Sequence, residues 1–317
     1  MSAKNATPLT SRLRDATVDL LWRQWRAIGG AAAGGPVQSQ VDLEVLCLGS
    51  LALDAYEPRL WITMADWIRE GSALVSVQRM KNLVDEFPSA GARLPDLVHV
   101  AVNEARDARW RALTDRKPSR AAGASRLPVR RRTAGPAIQS GPALSLRMRA
   151  IFGIGVKADL MAFLIGSDAR ATVSAAAAAL GYTTPPVFRA LQDFQSAGLL
   201  MTAPGDGAAE YWVKPGPWGE LFGGREFIAP WSHWLERVGY ACAAIAWEAG
   251  LTRRTVSDYA RAAGIRDVAA PRRRALARAL GIHTTIPDSA DLKAWSDFHD
   301  QLAHQMGDRP LGLTPSL

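Results

Sequence analysis

The chain has 317 residues, of which 48% are hydrophobic and 21% are charged, and these are the proportions of a folded globular protein. The composition excludes a chain that is disordered throughout, and the length is sufficient for two or three domains. The formal net charge of +8 favours a polyanionic partner, such as a nucleic acid.

Apolar stretches and cysteines bear on the expected location of the protein. No apolar stretch reaches the roughly 20 residues that span a bilayer, and Met1 to Thr10 lacks the pattern of a signal peptide. Cys47 and Cys242 lie far apart in apolar surroundings, which predicts two buried thiols without a disulfide or a metal. We therefore expect a soluble protein of the reducing cytoplasm, with no membrane partner.

The first 113 residues have the periodicity of a helical domain. Apolar side chains recur at intervals of three and four residues, and Ser76 is placed to cap one of the helices. The expected helices are Ser11 to Ile28, Val41 to Leu53, Pro58 to Gly71, Ser76 to Pro88 and Asp96 to Leu113.

A linker is expected over residues 114–143, because the apolar pattern gives way to Pro, Gly, Ser, Ala and Arg. Its net charge is +6, from seven Lys and Arg residues and one Asp, and Arg130, Arg131 and Arg132 are consecutive. Such a segment is as consistent with a solvated tether as with a clamp for phosphates.

Residues 144–222 contain three successive helical patterns followed by a hairpin. Lys157 to Ile165 and the alanine-rich stretch Thr172 to Leu180 are the first two, and Gly181 permits the tight turn that follows. Thr184 is placed to cap the third helix, which has Pro185 at its first position. Val187, Leu191 and Phe194 share the face that should be buried, and the segment Pro204-Gly205-Asp206-Gly207 predicts the turn of the hairpin.

This stretch resembles the winged helix-turn-helix domains of bacterial transcriptional regulators of the MarR and ArsR type. The likeness covers about residues 156–214 and is specific for the fold. It is carried by Ala178-Ala179-Leu180-Gly181-Tyr182, the helix Pro185 to Phe194, the exit Ser196-Ala197-Gly198-Leu199-Leu200 and the strand Tyr211-Trp212-Val213. The resemblance implies that base edges are contacted by Thr183, Thr184, Phe188, Arg189 and Gln192, with the wing in the flanking minor groove.

Net positive charge lies on both sides of this unit, whereas the unit itself has no net charge. Leu144 to Phe222 has equal numbers of cationic and acidic residues, whereas the linker and Gly250 to Leu280 each have a net charge of +6. We expect flanking arginines, Arg130, Arg131 and Arg132 among them, to supply phosphate affinity while the third helix supplies sequence preference. The alternative is that Arg272 to Arg278 is only the solvated face of a helix whose Leu276 and Leu280 are buried.

The remainder of the chain predicts a second helical region. Trp218 to Phe227 has the composition of a loop and turn. The helices expected after it are Pro230 to Trp247, Thr252 to Gly264, Arg272 to Leu280 and about Ser289 to Leu302.

Enzymatic signals are weak. Gly153-Ile154-Gly155 lacks the strand and the full glycine spacing of a phosphate loop. His299 and His304, with Asp297, Asp300 and Asp308, are a weak metal candidate that is better explained as surface polar residues. We therefore predict no catalytic residues, no cofactor and no metal.

The fold class predicted from the sequence is mainly α, multi-helical, with a central winged helix-turn-helix that carries a small β-hairpin. The expected domains are an N-terminal helical domain (1–113), the linker (114–143), the winged helix (144–222) and a C-terminal helical domain (223–317). The predicted function is that of a homodimeric DNA-binding transcriptional regulator acting on double-stranded DNA. The alternative is a non-catalytic adaptor whose winged helix docks on a protein partner.

Overall fold

The computed structural model describes residues 8–32, 34–113, 135–167, 170–205, 207–251, 256–281 and 284–307. In these ranges the protein is mainly helical, with a small antiparallel sheet of three strands. The mainly α class predicted from the sequence is confirmed, and the winged helix-turn-helix stays a prediction. None of the described helices combines the length and the hydrophobicity that a bilayer-spanning segment requires.

The N-terminal helices follow the predicted periodicity closely. They are α1 (Ser11–Ala27), α2 (Leu43–Ala52), α3 (Pro58–Gly71), α4 (Val77–Leu83) and α5 (Leu94–His99). The side chain of Asp42 accepts the main-chain N–H of Val45 at the start of α2, and Ser76 accepts that of Arg79 at the start of α4. Both caps satisfy main-chain donors that have no partner within the helix.

The single helix predicted from Asp96 to Leu113 is wrong. The chain leaves α5 through a π-helical turn, Val100–Glu104, and continues after a break as a 3-10 segment, Ala108–Leu113. Arg106 has a φ of 61°, a left-handed conformation that no α-helix accommodates.

The central unit contains α6 (Leu144–Phe152), α7 (Val156–Gly166), β1 (Ala171–Thr172), α8 (Val173–Leu180), α9 (Thr184–Ser196), β2 (Met201–Pro204), β3 (Ala209–Trp212) and α10 (Pro215–Phe222). The strand order is β1-β3-β2, and both pairings are antiparallel. The buried Tyr211 of β3 pairs with Ala171 on one side and Thr202 on the other. Neither α6 nor β1 was predicted from the sequence, and the loop predicted over Trp218 to Phe227 includes the second half of α10.

The C-terminal helices are α11 (Trp234–Leu251), α12 (Asp258–Ala269), α13 (Arg273–Leu280) and α14 (Leu292–Met306). The expected starts of the first two were too early. Residues 230–233 precede α11 without helical structure, and Ser257, not Thr252, caps α12 by accepting the N–H of Ala260. Thr252 itself lies outside the described residues.

Two hydrophobic clusters organise the described residues. One is shared by α1 to α5 and α11 to α14, and includes the buried side chains of Trp25, Trp67 and Trp295. The other lies within the central unit, between α6 to α9 and the sheet. The helices of the predicted N-terminal and C-terminal domains therefore contribute to one common core, although the predicted domain boundaries themselves remain a prediction.

The first helix is fastened to the C-terminal helices by polar contacts as well. The carboxylate of Glu248 in α11 accepts the main-chain N–H groups of Leu9 and Thr10, each at 2.8 Å, and the hydroxyl of Thr10 at 2.7 Å. Near the other end of α1, Arg23 donates to the main-chain oxygen of Met306 at 2.6 Å. Residues from opposite ends of the sequence thus bind each other directly.

Short segments join the central unit to the other helices. Residues 135–143, which the sequence assigns to the linker, bind the end of α1, where Ala137 donates its N–H to Ile28 and Ser140 its hydroxyl to Ala27. The amide of Gln40 donates to the main-chain oxygen of Ala162 in α7 at 2.8 Å. Cys47 and Cys242 are both free and buried, as predicted.

Candidate nucleic-acid interface

The pair of helices α8 and α9 is positioned by small side chains and a left-handed turn. Thr172 caps α8 by accepting the N–H of Ala175 at 3.2 Å, and Gly181 ends the helix with a φ of 68°. The alanine side chains of α8 that face inward are buried, so α9 packs closely against them. A β-carbon at Gly181 would overlap Cδ2 of Leu83 in α4, so the Leu83 side chain would have to shift.

The residues that the sequence assigned to base contact lie on the outer side of the α8–α9 unit. The buried face of α9 is formed by Val187, Ala190, Leu191 and Phe194. Thr183, Thr184, Phe188, Arg189 and Gln192 are all exposed, and Phe188 is 42% accessible to solvent. The predicted inward and outward faces of this helix are therefore confirmed.

The start of α9 differs from the prediction by one residue. The helix begins at Thr184, so Thr183 occupies the cap position and Pro185 lies one place further into the first turn. Thr183 makes no side-chain capping bond. In the part of the chain that the structure describes, its hydroxyl makes no hydrogen bond. It lies at the end of the helix where positive partial charge accumulates.

Arg189 is the cation of α9 that no acidic side chain neutralises. Asp193, one turn further on, forms an ion pair of 2.8 Å with Lys157 of α7, and both side chains are exposed. Within the described ranges, Arg189 forms neither a hydrogen bond nor an ion pair. Its guanidinium group is therefore available for a ligand outside the protein.

The turn between α8 and α9 is held from inside by the N-terminal helices. Arg79 of α4 donates from Nε to the main-chain oxygen of Leu180 at 2.6 Å, and both residues are buried. On the other side of the turn, the hydroxyl of Tyr182 donates to Oδ2 of Asp159 at 2.7 Å. The orientation of α9 is thereby linked to that of α4 and α7.

These contacts belong to a buried ionic cluster of five charged side chains: Asp42, Glu44, Arg79, Arg149 and Asp159. Each side chain is at most 4% exposed. Arg149 binds both oxygens of Glu44 at 2.7 and 2.8 Å and Oδ1 of Asp159 at 2.7 Å. Arg79 binds Oε2 of Glu44 at 2.7 Å and both oxygens of Asp42.

The charges of this cluster shift the pKa values of Glu44 and of the neighbouring Tyr182. Burial alone would raise the pKa of Glu44, but the charges of Arg149 and Arg79 lower it to about 2. Burial and the charge of Asp159 raise the pKa of Tyr182, so its hydroxyl stays protonated and continues to donate. This cluster was not predicted from the sequence, although charged residues within otherwise apolar helices, such as Glu44 and Asp159, are a signal for it.

The sheet presents a second cation. The guanidinium group of Arg170 lies 4.3 Å from the centre of the Trp212 ring, and its Nη1 is 3.8 Å from Glu210. The side chain of Arg170 is 56% exposed. Asp206, at the expected tip of the hairpin, lies outside the described residues.

The structure describes the flanking arginines only in part. Arg130, Arg131 and Arg132 lie outside the described residues, as do Arg253 and Arg254. Four others in the C-terminal block form ion pairs within the protein: Arg261 with Glu248, Arg266 with Asp267, Arg272 with Glu86 and Arg273 with Asp288. Leu276 and Leu280 are buried, as the alternative interpretation of this helix required. In the described part of this block, Arg274 and Arg278 are the exposed cations without such a partner.

The two histidines of α14 differ in their surroundings. The described residues contain no group of three or more His, Cys, Asp or Glu side chains arranged to hold a metal ion. His299 is 1% exposed and shares a hydrogen bond of 2.8 Å with the hydroxyl of Tyr240, so its assignment to the surface was wrong. His304 is exposed, and Asp308 lies outside the described residues.

No protein-family model, no curated protein and no solved structure matches this chain. The resemblance to winged helix-turn-helix regulators therefore remains an interpretation of the sequence.

Proposed function

We propose that this protein binds double-stranded DNA through α9 and regulates transcription. In this proposal α7 to β3 form a winged helix, α9 lies in the major groove, and the β2–β3 hairpin is the wing. The succession α7, β1, α8, α9, β2, β3 supports the assignment, as does the antiparallel order β1-β3-β2.

The observation that carries the proposal is the outer face of α9. Thr184, Arg189 and Gln192 offer hydrogen-bonding groups on one exposed surface, and Arg189 has no partner within the described ranges. Arginine and glutamine are side chains that read guanine and adenine edges by paired hydrogen bonds. The proposal includes a dimer, because two copies of α9 would double the contacts with a palindromic site. It also includes a regulatory output and a cytoplasmic location.

The test is the recovery of genomic DNA fragments on the purified protein at physiological salt. The variant Arg189→Glu should lose the enrichment of specific fragments. Lys293→Glu is the matched control, since it makes the same change in net charge at an exposed position on α14. Equal enrichment by both variants and by the unmodified protein would contradict the proposal.

A protein-docking role is the second candidate, and the exposed ring of Phe188 favours it. An aromatic side chain at the centre of an otherwise nearly neutral face is typical of a protein interface. In this case Phe188→Ala should reduce binding of a protein partner, whereas Arg189→Glu should leave that binding largely intact. The two variants therefore separate an adaptor from a DNA-binding regulator.

A further inference from the structure

Three side chains of α9 form one stripe on its outer face. Thr184, Phe188 and Gln192 follow each other at intervals of four residues, so they lie one above the other on the helix, and all three are exposed. Arg189 is exposed beside this stripe. With α9 in the major groove, as proposed above, the stripe faces the base edges. The centre of the stripe is therefore a phenyl ring and not a hydrogen-bonding group.

The ring of Phe188 stands apart from the interior of the protein. It belongs to neither hydrophobic cluster, and it contacts no other aromatic ring in the described parts of the chain. By contrast, Phe194 on the same helix is buried, and its ring lies 5.8 Å from that of Phe152. The helix thus uses one phenylalanine for the core and leaves the other for a contact outside the protein.

The major groove offers such a ring one apolar group. Thymine carries a methyl group at C5, and phenylalanine is among the side chains that cover it. 5-Methylcytosine carries the same group at the same position, whereas cytosine and uracil lack it. Arg189 is suited to the O6 and N7 atoms of guanine. Because Phe188 and Arg189 are consecutive, we expect them to contact neighbouring base pairs.

We propose that Phe188 reads the C5-methyl group of a pyrimidine and that Arg189 reads the guanine next to it. This inference rests on the DNA-binding function proposed above and names the DNA that the site prefers. A step of thymine and guanine and a step of 5-methylcytosine and guanine are then equivalent to the protein, whereas the same step with unmethylated cytosine binds more weakly. The protein consequently distinguishes methylated from unmethylated DNA at its sites.

The test compares duplexes that differ only in this methyl group. Genomic fragments recovered on the purified full-length protein are amplified with dTTP or with dUTP, which removes every thymine methyl group and keeps every hydrogen-bonding group. Covering one methyl group is worth about fourfold in affinity, so the uracil form should bind at least about fourfold more weakly. Thymines are then replaced one at a time in a synthetic duplex, and the sensitive ones should adjoin a guanine. With cytosine placed at such a position, its methylation should raise the affinity by a similar factor.

Variants of the protein assign the effect to Phe188. Phe188→Ala should bind the thymine and uracil forms equally, and Phe188→Leu, which keeps an apolar side chain, should retain part of the difference. Phe227→Ala is the matched control, because Phe227 is exposed to nearly the same extent, 45% against 42%, but lies outside α9. This control should discriminate between the two forms as the unmodified protein does.

The outcomes separate this inference from the proposed function. Specific fragments that bind equally well in the thymine and uracil forms, or a difference that persists in Phe188→Ala, would overturn the methyl readout and leave the DNA-binding function intact. A protein partner would then be the better explanation of the exposed ring. Absence of any specific fragment would refute the proposed function, and the methyl readout with it.

Discussion

Nε of Arg79 and the main-chain oxygen of Leu180 lie 2.6 Å apart, although 101 residues separate them in sequence. The bond joins a helix of the N-terminal region to the last residue of α8, immediately before the turn into α9. The same guanidinium group binds Asp42 and Glu44. Residues far away in the sequence therefore support α9. Its position depends on an ionic cluster that is buried.

Removal of one arginine from the buried ionic cluster should destabilise the fold strongly. Arg149→Met leaves Glu44 and Asp159 without their closest counter-charge in a region excluded from water. We expect a loss of about 3–5 kcal/mol in the free energy of unfolding, measured by urea denaturation. Arg274→Met is the control, because this exposed side chain has no ion partner in the described ranges, and its effect should stay within about 0.5 kcal/mol. A loss under about 1 kcal/mol for Arg149→Met would contradict the arrangement.

Gly181 should be far less tolerant of a side chain than Gly198. The two glycines have nearly equal φ angles, 68° and 70°, so alanine meets the same backbone strain at both positions. Nothing lies within 4 Å of a β-carbon at Gly198, whereas at Gly181 it meets Leu83. Gly198→Ala should cost about 1 kcal/mol and Gly181→Ala about 2–4 kcal/mol by thermal or chemical denaturation. Similar costs at the two positions would show that α4 does not pack on this turn.

Burial of His299 should make the stability depend on pH. Removal from water lowers the pKa of His299 to about 4, against weaker opposing effects of Leu9, Glu248 and Asp300. As the pH falls below 6.5, the imidazole of the unfolded chain binds a proton while that of the folded protein does not. The free energy of unfolding is therefore unaffected by this group above pH 6.5 and decreases as the pH falls towards 4.

The change attributable to His299 is roughly 3 kcal/mol at most. The free energy of unfolding, measured by denaturation at several pH values in this range, should therefore decrease less for His299→Gln than for the unmodified protein. His304→Gln, at an exposed position of the same helix, should follow the unmodified protein. Parallel curves for all three would be inconsistent with a buried neutral imidazole.

The salt dependence of DNA binding should report on Arg130, Arg131 and Arg132. If these side chains bind phosphates, their replacement by alanine lowers the slope of log affinity against log salt by about 0.9 for each phosphate that is no longer neutralised. Arg189→Gln should instead reduce the discrimination between specific and random duplexes. An unchanged slope for the triple variant would remove the linker from the binding model.

Mass in solution should distinguish the proposed dimer from a monomer. Light scattering at micromolar concentration is expected to give the mass of two chains, or of two chains plus one duplex when a specific duplex is present, because a single nearly neutral helix binds weakly. A monomer under both conditions would remove the two-fold arrangement from the proposal.

The sequence predicts those elements whose signal is local. The spacing of Val187, Leu191 and Phe194 fixes the buried face of α9, and Ser76 marks the start of α4. By contrast, α10 contains two prolines and two glycines, so its helical structure depends on packing that no local pattern records, such as the contact of Phe222 with the guanidinium group of Arg147 in α6.

The candidate site is harder to predict from the sequence than the helices that form it. Phe188 and Arg189 follow from the periodicity of one helix. The cluster that holds this helix requires Asp42, Arg79 and Arg149 to meet across separations of up to about one hundred residues. An isolated charged residue in an apolar helix indicates that a partner is needed, but it does not identify the partner.

The bond between Glu248 and the residues ahead of α1 has a consequence for synthesis on the ribosome. Leu9 and Thr10 emerge early, yet the carboxylate that satisfies their N–H groups is made almost 240 residues later. Until then the side of α1 that packs against α11 and α14 has neither helix to cover it. The nascent chain must therefore remain without its final tertiary structure during most of translation, which is the period in which chaperones protect exposed apolar surface.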